Sequence, residues 1–167
     1  MSAMTKNILN RIPAKYRDTA MIRMFGMLKV PMLFWIRPSV IELSDERCEI
    51  KIPLSRRTKN HLNSMYFGVL ACGADCAGGL SAMKQILQSD QKVSLAFKEF
   101  DAKFLKRAEA DTHFICEQGA EIKEFVQMVL ASEERHNMPV KIKATCPSKF
   151  GDEAVAEFTL ILSLKKK

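Results

Sequence analysis

The alternation of apolar and polar residues along the chain predicts six β-strands, each with one buried face. Two of them, over residues 40–44 and 48–54, form a hairpin. Four more follow, over residues 93–104, 112–117, 140–146 and 154–164. Within 93–104 the alternation changes phase by one residue after Phe97, which predicts a β-bulge or a sharp bend.

Other segments carry apolar residues at three- and four-residue intervals, which predicts helices. The first covers residues 5–29, with a break expected at Pro13. A short amphipathic helix is expected over 122–130. The apolar run 32–36 lies between two prolines, and it is either a short strand or the lid of a pocket.

The longest predicted helix covers residues 60–89 and is apolar on nearly all sides, so we expect it to be buried. Each glycine in a helix costs roughly 1 kcal/mol relative to alanine, and this segment contains Gly68, Gly73, Gly78 and Gly79. We therefore expect sheet backbone to approach the helix closely on more than one side. The element order predicts an α+β fold in which a bent antiparallel sheet wraps around this helix.

The composition indicates one folded domain, with at most a helical appendage. The chain has 167 residues, of which 47% are hydrophobic and 27% charged, and this excludes a disordered chain. The most apolar long stretch, 62–83, contains Asp75 and four glycines, so no membrane span is expected. No secretory leader is evident, and five cysteines without a CxxC pair favour a reduced, cytoplasmic protein.

The net charge is +7, of which three charges are the terminal lysines, which leaves +4 for the rest of the chain. This balance suits anionic ligands such as phosphates but does not by itself indicate nucleic acid. The sequence shows no helix-turn-helix pattern, so a nucleic-acid-linked regulator is the weakest function class, and no nucleic-acid partner is expected.

The candidate chemistry lies in residues 56–75. An Asn60-His61 pair opens this segment, Gly68 lies at the start of the helix, and Asp75 follows seven residues later. With these residues the sequence resembles the hot-dog-fold superfamily. It is most similar to the phenylacetate-degradation type of acyl-CoA thioesterase and to a related bacterial hot-dog group of unknown function.

The resemblance extends to the order of elements over residues 38–165. It implies a hot-dog domain over residues 38–167, which consists of the sheet and the long helix. Residues 1–37 would then form an N-terminal helical extension outside the hot-dog core.

The resemblance also implies a role for each matching residue. The Gly68 N–H would bind the thioester carbonyl oxygen, since a helix N-terminus offers free N–H groups and the positive end of the helix dipole. Asp75 would be the nucleophile or the general base that activates water. The candidate substrate-binding residues also include His61, in a positioning role at most, with Asn60, Tyr66 and Phe67. Arg56, Arg57 and Lys59 are candidates for the coenzyme A phosphates on the ground of their positive charge alone. Coenzyme A would be part of the substrate, and no other cofactor is expected.

The spacing of Gly68 and Asp75 adds a requirement. Seven residues on one helix correspond to roughly 10 Å of rise, so one carbonyl carbon cannot lie about 3 Å from both residues. If both act on one substrate, they must come from two chains. We therefore expect a homodimer or a dimer of dimers, with an acyl-CoA or acyl-carrier thioester bound at the interface.

A non-catalytic acyl or acyl-CoA binding protein on the same fold remains the alternative. Many thioesterases of this type have His-Gly-Gly at the helix start, whereas this chain has Tyr66-Phe67-Gly68. Phe67 is bulky at a position where a small residue leaves room for the ligand. Asp75 would then be structural, for example through a hydrogen bond to a backbone N–H.

Simpler interpretations also exist for other features of the sequence. Asn60-His61 could cap the helix. Cys72 and Cys76 lie one turn apart beside Asp75, but they are more simply small buried hydrophobic residues than metal ligands, so no metal is expected. The methionines concentrated in residues 1–32 indicate core packing or, alternatively, a lipid-facing groove.

Overall fold

The computed structural model describes residues 13–167. The described helices are α1 (Ala14–Lys29), α2 (Pro31–Ile36), α3 (Phe67–Gln88), α4 (Gly119–Leu130) and α5 (Pro147–Phe150). The described strands are β1 (Ser39–Leu43), β2 (Cys48–Ile52), β3 (Val93–Phe104), β4 (Thr112–Cys116), β5 (His136–Thr145) and β6 (Ala154–Lys166). In the part of the chain that the structure describes, no helix is long and apolar enough to cross a membrane.

All strand pairs are antiparallel, and the sheet order is β1-β2-β4-β5-β6-β3. The long helix α3 packs against β2, β4, β5 and β6. The predicted α+β fold, an antiparallel sheet around one long helix, is confirmed. The predicted irregularity in β3 is also confirmed, because its register with β6 shifts between Phe97 and Phe100.

The alternation in β2 separates the two faces of the sheet as predicted. Cys48, Ile50 and Ile52 are fully buried on the inner face, toward the core. Glu49 lies on the other face, where its carboxylate contacts the imidazole of His113 on β4. No local pattern indicates this pair, because the two residues are 64 positions apart.

The apolar run 32–36 is a helix rather than the strand that was one of its two interpretations. Pro31 occupies the first turn of α2, where its missing N–H costs no hydrogen bond. Leu33 and Ile36 are buried at a helical spacing of three, and Arg37 ends the helix with a left-handed φ of 55°. A helix suits this apolar run because only two of its residues are buried in the core, and both lie on the same face of the helix.

The N-terminal prediction holds in the described part, since α1 begins directly after Pro13. Residues 5–12 of the predicted helix, and the methionines before residue 13, lie outside the described residues. Ile22 of α1 is buried in the same core as the sheet. The division into an extension over 1–37 and a domain over 38–167 stays a prediction.

The long helix begins at Phe67, seven residues later than residue 60, where the prediction began it. The preceding residues form a loop because their backbone groups bond across it: the Tyr66 N–H donates to the Thr58 carbonyl over 2.8 Å. Lys59 and Met65 form an isolated antiparallel bridge. The predicted helix began too early because apolar residues in this loop continue the helical spacing of the residues that follow it.

Side chains, not sheet backbone, approach the glycines in the second and later turns of α3, and this corrects the expectation. The ring of Phe114 lies against Gly73, so that a Cβ there would overlap it. Gly78 faces Val140 and Ile142 at 3.4 Å from the position of a Cβ. The glycines let the helix lie close to the sheet, because large side chains on the strands occupy the space that helix side chains would otherwise need.

Candidate functional site

A groove of about 290 Å³ lies at the start of α3. It brings together four of the predicted site residues, which are Asn60, His61, Tyr66 and Phe67. The opposite wall comes from the end of β3 and the residues after it, namely Phe104, Lys106, Arg107 and Ala108. The groove therefore joins the loop before the helix to a segment about forty positions further along the chain.

The loop that carries Asn60 is closed by its own hydrogen bonds. The Asn60 Oδ1 accepts from the Leu62 N–H at 2.9 Å, and from the N–H and Oγ of Ser64, both at 3.2 Å. The interpretation of Asn60-His61 as a helix cap is wrong, because the residue before α3 is Tyr66 and no side chain caps it. Asn60 shapes the loop instead, and His61 projects as an exposed residue into the groove.

Two aromatic residues lie at the helix start. The rings of Tyr66 and Phe67 are 4.8 Å apart, and the side chain of Phe67 is 61% exposed. The Tyr66 ring lies over Gly68, so that a Cβ on Gly68 would be only 2.7 Å from it. A side chain at position 68 would therefore require the Tyr66 ring to move away from the first turn.

The first turn of α3 has free backbone donors. The N–H groups of Val69 and Leu70 both donate to the Tyr66 carbonyl. Those of Phe67 and Gly68 donate to no acceptor within residues 13–167. Unpaired N–H groups at a helix N-terminus bind negative charge or a polarised carbonyl oxygen.

Asp75 lies outside this groove, two helical turns along α3. It is half-buried, and burial raises the pKa of its carboxyl group. Within the described chain it makes no hydrogen bond and no ion pair, so a backbone N–H does not hold it there. The structure therefore leaves a half-buried carboxylate with no partner among the residues it describes.

Burial raises the thiol pKa of both cysteines beside Asp75, and the carboxylate adds to the effect. Cys76 is buried, whereas the Cys72 thiol contacts the sulfur of Met32 at 3.3 Å. Both therefore behave as protonated, apolar groups. Over residues 13–167 no group of three potential metal ligands comes together.

The predicted phosphate-binding residues do not line the groove. Arg56 is exposed, the Arg57 guanidinium lies 4.6 Å above the centre of the Trp35 ring, and the Lys59 ammonium donates to Asn63. Lys106 and Arg107 line the groove instead, and sequence reasoning missed them. A signal was present, since this basic pair follows the aromatic end of a strand, Phe104, after one intervening residue.

The two basic residues differ in their availability. Lys106 is paired with Glu153 at 2.6 Å. Arg107 is exposed and makes no ion pair or hydrogen bond with another described residue. The side chain of Lys149 lowers the pKa of the Glu109 carboxyl, and the charge of Arg107 adds to this effect. The N–H donors of Arg107 contact no described residue, so Arg107 is the guanidinium of this groove that can bind an anion.

Comparison with known families assigns the chain. The sequence model of DUF4442, a domain of unknown function, matches residues 18–160. The chain belongs to the DUF4442 family. The matched region begins within α1 and ends within β6, so it includes the whole groove and Asp75. No curated protein matches the chain.

Solved structures share the fold of this DUF4442 chain. A protein from Chlorobaculum tepidum with unknown function matches with a TM-score of 0.77 and 11% identity, over 93% of this chain and all of that one. A protein of unknown function from Pseudomonas aeruginosa, described as a probable thioesterase, matches with a TM-score of 0.71 and 20% identity. The match covers 89% of this chain and 96% of that one. A thioesterase from Haemophilus influenzae matches with a TM-score of 0.62 and 10% identity, over 86% of this chain and 88% of that one. The fold is the hot-dog fold, and the resemblance to hot-dog thioesterases is confirmed at that level.

Proposed function

We propose that this protein hydrolyses a thioester of the acyl-CoA type at a site shared by two chains. Asp75 acts as the general base or nucleophile, and the Gly68 N–H of the second chain binds the carbonyl oxygen. The observation that carries the proposal is the unpartnered, half-buried carboxylate of Asp75 on the central helix.

Burying a carboxylate without a partner costs free energy, so its place in the fold needs a compensating interaction. The described part of the chain supplies none. A raised pKa is typical of carboxylates that exchange protons during catalysis. Water or a thioester between two chains would give Asp75 the partner that its own chain lacks.

The reaction is an acyl transfer to water. Asp75 takes a proton from a water molecule, whose oxygen then attacks the thioester carbonyl carbon. Negative charge develops on the carbonyl oxygen, which the Gly68 N–H at the helix N-terminus stabilises. The carbon–sulfur bond breaks, the acyl group is released as a carboxylic acid, and the thiolate takes up the proton that Asp75 had accepted, which restores the carboxylate.

The groove at the start of α3 suits the thiol part of such a substrate. Arg107 offers a free guanidinium for a phosphate, and Tyr66 and Phe67 offer aromatic surface for the adenine or the pantetheine arm. The solved thioesterase from Haemophilus influenzae, with the same fold, adds support for this class of substrate.

The test is release of free thiol from a panel of short, long and aromatic acyl-CoAs. Asp75→Asn is compared with Asp152→Asn, a matched change at an exposed carboxylate in the turn before β6. We expect the first change to abolish hydrolysis and the second to leave it unchanged. Equal turnover in wild type and Asp75→Asn would overturn the role of Asp75.

The shared site is tested separately. Light scattering of the wild-type protein should give a dimer or a larger assembly of even number. A strict monomer that retains full activity would contradict a site built from Gly68 of one chain and Asp75 of another.

A non-catalytic acyl-CoA binding protein is the second candidate. The exposed ring of Phe67 and the Tyr66 ring over Gly68 favour it, because both rings lie beside the N–H groups that a carbonyl oxygen must reach. Thermal stabilisation by acyl-CoA in both wild type and Asp75→Asn, without thiol release, would support binding alone.

A further inference from the structure

A second groove, larger and almost entirely apolar, lies between α1, the second half of α3 and the beginning of β3. Its volume is about 490 Å³, within the range of small-ligand sites. Three of its walls are formed by Met21 and Met24 of α1, Met83 and Ile86 of α3, and Leu95 of β3. No part of the proposed reaction uses this groove.

The groove lies further along the helix that carries Asp75. Asp75, Gly79, Met83 and Ile86 follow one another at spacings of four, four and three, so they share one face of α3. Asp75 is about 12 Å from Met83 and about 16 Å from Ile86 in helical rise. None of the four is fully buried.

Gly79 is the residue between Asp75 and the groove, and the described part of its own chain does not require a glycine there. Of the residues that the structure describes, a Cβ on Gly79 would meet only the Phe97 ring, at 3.7 Å, which is an ordinary contact distance. A glycine inside a helix nevertheless costs about 1 kcal/mol relative to alanine. The absence of a side chain leaves the helix surface bare between Asp75 and Met83.

We propose that this groove binds the acyl chain of the substrate, and that Gly79 determines acyl specificity by letting the chain pass from Asp75 to the groove. The inference rests on the proposed thioesterase function and adds the substrate class. An extended chain gains about 1.2 Å per bond, so reaching Met83 and Ile86 takes about ten bonds or more. The substrate is therefore an acyl group with a chain of about ten or more carbons.

The lining fits a hydrocarbon chain better than a peptide. Among residues 13–167, Lys29 is the one charged residue that lines the groove, and it is exposed. A peptide backbone would lose its hydrogen bonds to water against such walls, whereas a methylene chain loses none. Methionine side chains are flexible and adapt to chains of different shape.

The test compares butyryl-CoA with lauroyl-CoA as substrates. Met83→Trp and Gly79→Leu each place a large side chain in the path. Met128→Trp is the control, since Met128 is an exposed methionine on α4 outside the groove. We expect both groove variants to lower the ratio of kcat/KM for lauroyl-CoA to kcat/KM for butyryl-CoA by roughly tenfold or more, and Met128→Trp to leave this ratio as in wild type. Unchanged lauroyl-CoA turnover in Met83→Trp and Gly79→Leu would overturn the inference.

The inference stays testable if the wild type hydrolyses no thioester. Lauric acid and butyric acid are then compared as stabilisers of the wild type and Met83→Trp in thermal unfolding. Stabilisation by laurate alone, lost in Met83→Trp, supports the groove although the proposed function has failed. Equal behaviour of the two acids overturns it.

A second copy of the chain is the competing occupant of this face. If Gly79 serves close packing between chains, Gly79→Leu should convert the assembly to monomers while Met83→Trp leaves lauroyl-CoA turnover intact. That pair of results would also overturn the inference.

Discussion

The ring of Phe114 on β4 occupies the space that a side chain on Gly73 would need. Phe114 is fully buried under α3, so its ring has no room to move aside. This contact sets how closely the helix approaches the middle of the sheet. It also distinguishes Gly73 from Gly79, which lies in the same helix and has only an ordinary contact with Phe97.

The two glycines should respond in opposite directions to the same substitution. Gly73→Ala forces a methyl group into the Phe114 ring and should destabilise the protein by about 1–3 kcal/mol. Gly79→Ala should instead stabilise it by up to about 1 kcal/mol, because alanine favours the helix. Urea unfolding of both variants checks this, and a destabilised Gly79→Ala would show that something covers that face.

Asp75→Asn should stabilise the fold near neutral pH by about 1–3 kcal/mol, because it removes a half-buried charge without a partner. Burial raises the folded pKa of Asp75 above its usual 3.8, so folding is disfavoured wherever the carboxyl is ionised. The advantage of the variant should therefore be full above the raised pKa and vanish below pH 3.8. The test is to measure the free energy of unfolding of wild type and variant from below pH 3.8 to neutral pH. A variant less stable than wild type at neutral pH would show that the carboxylate has a stabilising partner.

Arg107→Ala should weaken the binding of coenzyme A esters through loss of a phosphate contact. We expect KM for acyl-CoA to rise by roughly tenfold, as for the loss of one charge-assisted hydrogen bond. The same acyl group on N-acetylcysteamine, which has no phosphate, serves as the control substrate, and its KM should not change. Equal effects on both substrates would place Arg107 in the fold rather than at the phosphates.

Phe67→Gly should change substrate preference at the helix start, since the ring borders the groove there. The ring contributes little to the stability of the fold, because 61% of its surface is exposed. A glycine in the first turn of the helix nevertheless destabilises the fold by about 1 kcal/mol relative to alanine. Phe67→Ala is the matched variant that removes the ring with a better helix former. An identical substrate profile in both variants and wild type would show that Phe67 does not contact the substrate.

Local patterns in the sequence determined much of this fold. Cys48, Ile50 and Ile52 alternate with polar residues, and a strand with one buried face requires that period. The phase change after Phe97 marked a bulge, because an extra residue in one strand reverses the side-chain alternation. Asp75 stood out as a charge in an apolar helix, since burying it carries a cost wherever the helix packs.

The set of residues that lines the groove at the start of α3 depends on how distant segments of the chain pack together. Arg107 and His61 come from segments that are distant along the chain, and no local periodicity encodes which segments become neighbours. The same holds for Phe114 against Gly73, because a glycine in a helix shows that space is needed but not which residue fills it. The spacing of apolar residues reflects the geometry of a single helix or strand. A site depends instead on how several elements pack against one another, and this packing is determined by burial of the whole core.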